Sequence, residues 1–120
     1  MDIKKFLSAF YQETDDVCIR VFSDRKAEDP EFKGQKYTDK LSNIQNILPM
    51  LKQHNEKHRG IFFVVNSGGH TDEEITKVNA QFVEMDTGSF EEQQAKINSF
   101  KFEPSIIVKT RKSLHCYWLV

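Results

Sequence analysis

One stretch limits what this chain can fold into more than any other: Ala80-Gln81-Phe82-Val83-Glu84-Met85-Asp86-Thr87-Gly88. Its first part is mostly apolar and rich in bulky residues, which predicts a strand. Alternation along a strand sends Phe82, Glu84 and Asp86 to one face and Gln81, Val83 and Met85 to the other. Two carboxylates on one face, two residues apart, repel each other. A divalent cation held by oxygen ligands is the usual compensation. The plain alternative is an acidic strand end facing water, and the rest of the chain must decide between them.

With 120 residues the length is that of one domain. Ten phenylalanines beside 29% charged residues suit a folded α/β chain rather than a disordered one. The net charge of −1 supplies no global basic field, so any contact with nucleic acid must come from a local patch. Met1 to Phe10 is amphipathic and charged, unlike a signal peptide, and no apolar run is long enough to span a membrane; the expected setting is cytoplasmic. Cys18 and Cys116 sit in separate apolar segments without close-spaced partners, which predicts two free, buried thiols. The sequence stops at Trp118-Leu119-Val120, inside an apolar run, and reads as the N-terminal portion of a longer chain.

Asp2 opens a helix whose Ile3, Phe6, Leu7, Phe10 and Tyr11 form one stripe, ended by Thr14-Asp15-Asp16. Val17 to Phe22 is a strand with Arg20 on the face of Cys18 and Phe22, where it either pairs with an acid such as Asp24 or reaches a phosphate. Ser23 to Lys40, polar and of mixed charge, predicts a long exposed loop. Leu41, Ile44, Leu48 and Leu51 keep helical spacing to about His58; Pro49 kinks that helix or starts a second, and Gly60 closes it. His54 and His58 stand four apart without a third ligand nearby, so outer-face polar histidines are expected.

Ile61 to Val65 predicts a central strand buried on both faces, followed by a tight turn at Gly68-Gly69. Thr71-Asp72-Glu73-Glu74 starts a short helix bearing Ile75 and Val78. After the acidic strand, Ser89-Phe90-Glu91-Glu92 caps a helix through Phe100, anchored by Ile97 and Phe100. Ser105 to Thr110 and Leu114 to Val120 then form a β-hairpin. Its turn region carries Lys109, Arg111 and Lys112, and the returning strand starts with His115. These cations either meet phosphate oxygens or simply keep the hairpin tip soluble. The element order expected is α-β-α-β-α-β-α-β-β.

Phe82-Val83-Glu84-Met85-Asp86, then a helix, Pro104-Ser105, a strand and Ser113-Leu114-His115 together resemble the archaeo-eukaryotic primase superfamily, in its phage and mobile-element prim-pol form. Glu84 and Asp86 match the family's hydrophobic-acid-hydrophobic-acid strand, and Ser113 and His115 match its second motif; Val65-Asn66-Ser67-Gly68-Gly69 and His115-Cys116-Tyr117-Trp118 add to the likeness. The resemblance runs from about Ile61 to the C-terminus. Two departures stand out: Thr110-Arg111-Lys112-Ser113 lacks the glycines often found in the family's hairpin turn, and the third motif's aspartate has no candidate.

The resemblance implies an α/β (α+β) fold: a mixed or antiparallel sheet with flanking helices and an RRM-like core, incomplete at the C-terminus. Residues 1–120 would be the N-terminal portion of a prim-pol catalytic domain, with 1–60 a small α/β unit and 61–120 part of the catalytic sheet. It also implies a DNA primase or polymerase. Glu84 and Asp86 would hold Mg²⁺ or Mn²⁺, and His115 would join them as a catalytic residue. Ser113, His115, Lys109 and Arg111 would bind the nucleoside triphosphate. The partners implied are nucleoside triphosphates, a DNA template and a fused or associated helicase. The main rival is a non-catalytic RRM-like module, which predicts exposed aromatics on a sheet and no metal dependence. A rolling-circle nuclease needs a histidine pair flanking one residue, which this chain lacks; a protein-interaction scaffold is the remaining alternative.

Overall fold

The computed structural model describes residues 2–23 and 29–120. Its elements run α1 (Ile3–Leu7), β1 (Asp16–Phe22), β2 (Gln35–Lys40), a 3₁₀ turn (Leu41–Asn46), α2 (Leu48–Glu56), β3 (Gly60–Phe63), a 3₁₀ turn (Asp72–Glu74), β4 (Ala80–Glu84), α3 (Phe90–Asn98), β5 (Ile106–Lys109) and β6 (Leu114–Leu119). They make two three-stranded antiparallel sheets, ordered β2-β1-β3 and β4-β6-β5. The chain divides into two compact units, up to Val78 and from Asn79. The sequence reading placed its division at Gly60, but β3 pairs with β1 and so lies in the first unit.

In the first unit, alternation on β1 turns Val17, Ile19 and Val21 into the core, where Leu7, Leu41, Ile44 and Leu51 meet them in burial. Burying each such side chain contributes roughly 1.5–3 kcal/mol. Asp2 caps α1 by accepting from the Lys5 amide at 3.1 Å, and the rings of Phe6, Phe10 and Phe63 pack with centres 5.3–5.6 Å apart, Phe6 and Phe63 edge-to-face and the other two pairs tilted. Pro49 lies in the first turn of α2, so it starts a second helix rather than kinking one. Helix α2 ends before Gly60: His58, at φ 60°, takes the left-handed conformation, and Gly60 opens β3.

The segment expected to be a loop from Ser23 to Lys40 contains a strand. Gln35–Lys40 pairs with all but the end of β1, and its charged, alternating residues make it a polar sheet edge. Residues Asp29 to Gly34 are held as well. Arg59 donates to both Asp29 oxygens at 2.8 and 3.1 Å and lies 3.7 Å over the Phe32 ring. Its Nη1 also meets His54 Nδ1 at 3.0 Å, while the other His54 nitrogen bonds the Tyr37 hydroxyl at 2.8 Å. Burial, then the Arg59 and Lys57 charges, hold the His54 pKa below its ordinary value. His54 is thus a structural clamp between α2 and β2. Asp24, one expected partner of Arg20, lies outside the described residues.

Two further expectations change. Strand β3 is an edge strand with Ile61 and Phe62 exposed, not a central strand buried on both faces. After Thr71, only one 3₁₀ turn forms, because the amides of Thr76 and Lys77 turn back to the Ser67 carbonyl at 2.9 and 3.2 Å instead of continuing a helix. That return requires Gly68: at φ +130°, a Cβ there would meet the Glu74 carbonyl oxygen and the Thr76 amide. Gly68→Ala is therefore expected to lower stability by about 1–3 kcal/mol, measured as a shift of the urea midpoint.

Lys77 also closes this loop through its 2.8 Å ion pair with Asp15. Burial alone would raise the Asp15 pKa, but hydrogen bonds from Lys77 and the Gln12 amide outweigh it and leave the carboxyl below its ordinary value. A lowered carboxylate stabilises the fold above the unfolded pKa of about 3.9 and loses that stabilisation as pH falls through the lower folded value. Asp15→Asn is expected to flatten the acid limb of the stability–pH curve below about pH 4, as followed by urea unfolding at a series of pH values.

Candidate active site

The second unit is a split β-α-β: β4 and β5 are parallel to each other, and β6 inserts between them, antiparallel to both. Ser89 Oγ caps α3 by accepting from the Glu92 amide at 3.2 Å. Helix α3 covers one face of the sheet, with Met85, Ile97, Leu114 and Cys116 buried and Phe90, Phe100 and Trp118 packed against them. Cys18 and Cys116 are both free and buried, and burial pushes both thiols up.

Register decides what stands on the other face. Phe82 lies opposite Tyr117, Glu84 opposite His115, and His115 opposite Val108. Directly opposed residues share a face and sit roughly 5 Å apart at Cβ. Glu84 and His115 are therefore cross-strand neighbours on the face away from α3. Asp86 follows two residues later, past the end of β4, and both carboxylates are exposed. Among the described residues neither carboxylate has a basic ion-pair partner. Burial first, then the Glu84 charge, push the Tyr117 phenol up, so the field of Glu84 is felt along this face.

The predicted phosphate-binding cations do not all gather there. Lys109 lies opposite Leu114, on the helix-covered face, and its ammonium rests 4.3 Å from the Phe90 ring centre. Arg111 is exposed on the turn; Ser113 is buried and locks that turn, its carbonyl accepting from the Thr110 amide at 2.8 Å and its own amide donating to Thr110 Oγ1 at 3.1 Å. None of Thr110 to Ser113 takes a positive φ, so this turn has no position that calls for glycine. The register thus brings Glu84 and His115 together, while Asp86 follows past the strand end and Arg111 stands on the adjoining turn. Exposed oxygen donors of this kind suit Mg²⁺ or Mn²⁺, which keep part of their water shell, although no cluster of three metal-ligating side chains occurs among the described residues.

One residue of this unit was not anticipated. Gln93 on α3 is 2% exposed. Its Nε2 donates to the carbonyls of Gly88 (3.1 Å), Lys112 (3.0 Å) and, longer, Thr87 (3.5 Å), while its Oε1 accepts from the Leu114 amide at 2.8 Å. It thereby ties the segment following Asp86 to the segment preceding His115. The signal was in the spacing: Phe90, Gln93, Ile97 and Phe100 lie on one helical stripe, and a glutamine on a buried stripe must have internal partners.

Among solved structures, the chain is similar to the AEP domain of the cyanophage S-2L primase-polymerase (PrimPol), with a TM-score of 0.78, 25% identity and 98% of this chain covered. The chain has the fold of an archaeo-eukaryotic primase. It spans 60% of the length of that primase-polymerase domain. No protein-family model and no curated protein sequence matches it. Among the described residues, no helix is long and apolar enough to cross a membrane.

Gln93→Met keeps the volume but leaves buried carbonyls and the Leu114 amide without partners. Loss of at least about 2 kcal/mol of stability is expected, against less than about 0.5 kcal/mol for the exposed Gln94→Met on the same helix; urea unfolding of both variants compares them.

Proposed function

We propose that this chain carries the metal and triphosphate site of a primase-polymerase, a nucleotidyltransferase that joins nucleotides on a DNA template. The observation carrying this reading is the register that sets Glu84 opposite His115, with Asp86 just past the strand end, in an archaeo-eukaryotic primase fold. Glu84 and Asp86 hold Mg²⁺ or Mn²⁺ by carboxylate oxygens. Bound there, the ion would supply the alignment of a 3′-hydroxyl with the α-phosphate and the stabilisation of the leaving pyrophosphate. His115 donates a hydrogen bond to a phosphate oxygen of the incoming nucleotide. Arg111, exposed on the adjoining turn, adds a charge-assisted contact to the same triphosphate.

Ser113 contributes by holding that turn, and Lys109 stays with Phe90 on the far face. Residues 1–120 are, in this reading, the N-terminal portion of the catalytic domain, working in phage, plasmid or mobile-element replication beside a helicase.

The rival reading, a non-catalytic nucleic-acid module, shares the exposed aromatics, of which Phe82 is one. Metal dependence separates the two. Calorimetric titration of a nucleoside triphosphate is expected to show binding with Mn²⁺ that falls at least about tenfold in Glu84→Ala/Asp86→Ala and in His115→Ala, with thermal unfolding unchanged. Binding that is indifferent to Mn²⁺ and to all three substitutions would favour the non-catalytic module.

A further inference from the structure

The first sheet has a face that the site above does not use. Helices and the 3₁₀ turn cover the side of Val17, Ile19 and Val21; on the other side stand Cys18, Arg20 and Phe22 of β1, Lys36 and Thr38 of β2, and Phe62 of β3. The cross-strand register sets Arg20 directly between Lys36 and Phe62. Like charges placed opposite each other on a sheet are destabilising unless an anion offsets them.

The described residues do not provide one. Among the described residues Arg20 has no ion-pair partner, its Nε is buried without a hydrogen-bond partner, and its guanidinium carbon lies 5.2 Å from the Phe22 ring centre. His70 borders the patch, bonded through Nε2 to Thr38 Oγ1 at 3.0 Å; burial, then the Lys36 and Arg20 charges, hold its pKa below the ordinary value, so it adds no positive charge at neutral pH. Two acids approach. Glu74, beside His70, is engaged by the Thr71 hydroxyl at 2.9 Å and by local backbone amides, and Asp16, at the far end of β1, faces Lys40 at 3.9 Å.

The aromatic half of the patch is equally unusual. Phe62 is 53% exposed and Phe22 42% exposed, with ring centres 5.8 Å apart. Gly60, opposite Phe22, makes room for this pair: a Cβ there would stand 2.8 Å from the Phe62 ring. Two exposed rings beside two cations that have no acidic partner among the described residues, on one sheet face, have the chemistry of a single-strand binder, in which rings stack on bases and cations track phosphodiesters.

We infer that the face formed by Arg20, Phe22, Lys36 and Phe62 binds single-stranded nucleic acid, Arg20 and Lys36 contacting backbone phosphates and the two phenylalanines stacking on bases. This deepens the function proposed above by assigning a surface to the template strand; it rests on that reading for the strand's role, not for the binding itself. Recognition is through charge and stacking, so it is tolerant of sequence and weakens steeply with salt.

Fluorescence anisotropy of a labelled oligothymidylate, in EDTA and at low salt, tests this. Wild type is expected to bind, with affinity falling about tenfold in Arg20→Ala and in Phe62→Leu, the latter keeping the strand apolar. The slope of log affinity against log salt should drop by roughly one for each cation removed in Arg20→Ala and Lys36→Ala. Glu84→Ala/Asp86→Ala should bind the oligonucleotide as wild type does. Such a result with no Mn²⁺-dependent triphosphate binding would sustain this inference and sink the catalytic reading. No binding by wild type at low salt, wild-type affinity in the folded Arg20 and Phe62 variants, or loss confined to the Glu84/Asp86 variant would each overturn the inference.

Discussion

Strand β6 is hydrogen-bonded along both edges, and the second unit depends on that double pairing. Because side chains alternate, one register fixes two surfaces at once. Leu114 and Cys116 go to the core beneath α3, while His115 and Tyr117 go to the other face beside Glu84 and Phe82. A slip of one residue would bury His115 and expose the core. The hydrophobic demand for Cys116 and Leu114 under the helix is therefore what holds an imidazole next to a carboxylate. Gln93 reinforces this at the strand ends, where ladder pairing has stopped and backbone groups would otherwise be buried without partners.

The first unit uses the same rule with a different result. Its sheet has one helix-covered face and one face where aromatic and cationic residues stand together, and its outer strand β2 is polar enough to serve as an edge. Its loops are held by side chains rather than by regular structure: the Arg59–Asp29–Phe32–His54 cluster fixes one segment, and Gly68 with the Ser67 carbonyl fixes another. Both clusters place charged or small residues where composition alone suggests only a solvated surface.

Much of this was legible where local chemistry and periodicity agreed. The acidic strand, the Ser89-capped helix and the final hairpin all form where alternation and capping predict them. The fold class and the primase likeness followed from those elements, and the structural match bears both out. What failed to show were properties set by tertiary pairing. Gln35–Lys40 has a strand's alternation but too much charge to be noticed without its partner β1. Ile61–Phe63 looks buried because it is apolar, yet it lies at an edge with Phe62 outward. The Thr71 capping signal is overridden by the backbone's return to Ser67. Lys109 and His115 are close in sequence, but only the register reveals that they face opposite sides.

We propose that Glu84 and Asp86 hold a divalent ion close to His115, which shares with Glu84 the face opposite α3. Paramagnetic broadening by Mn²⁺ in NMR spectra of the isotope-labelled chain tests it most directly, since the effect falls steeply with distance from the ion. Substoichiometric Mn²⁺ should first broaden the Glu84 and Asp86 resonances together with the His115 ring, and leave the Lys109 ammonium end and α3's Gln94 sharp. Broadening that spares His115 while reaching Lys109, or that spreads evenly over surface carboxylates, would contradict the account.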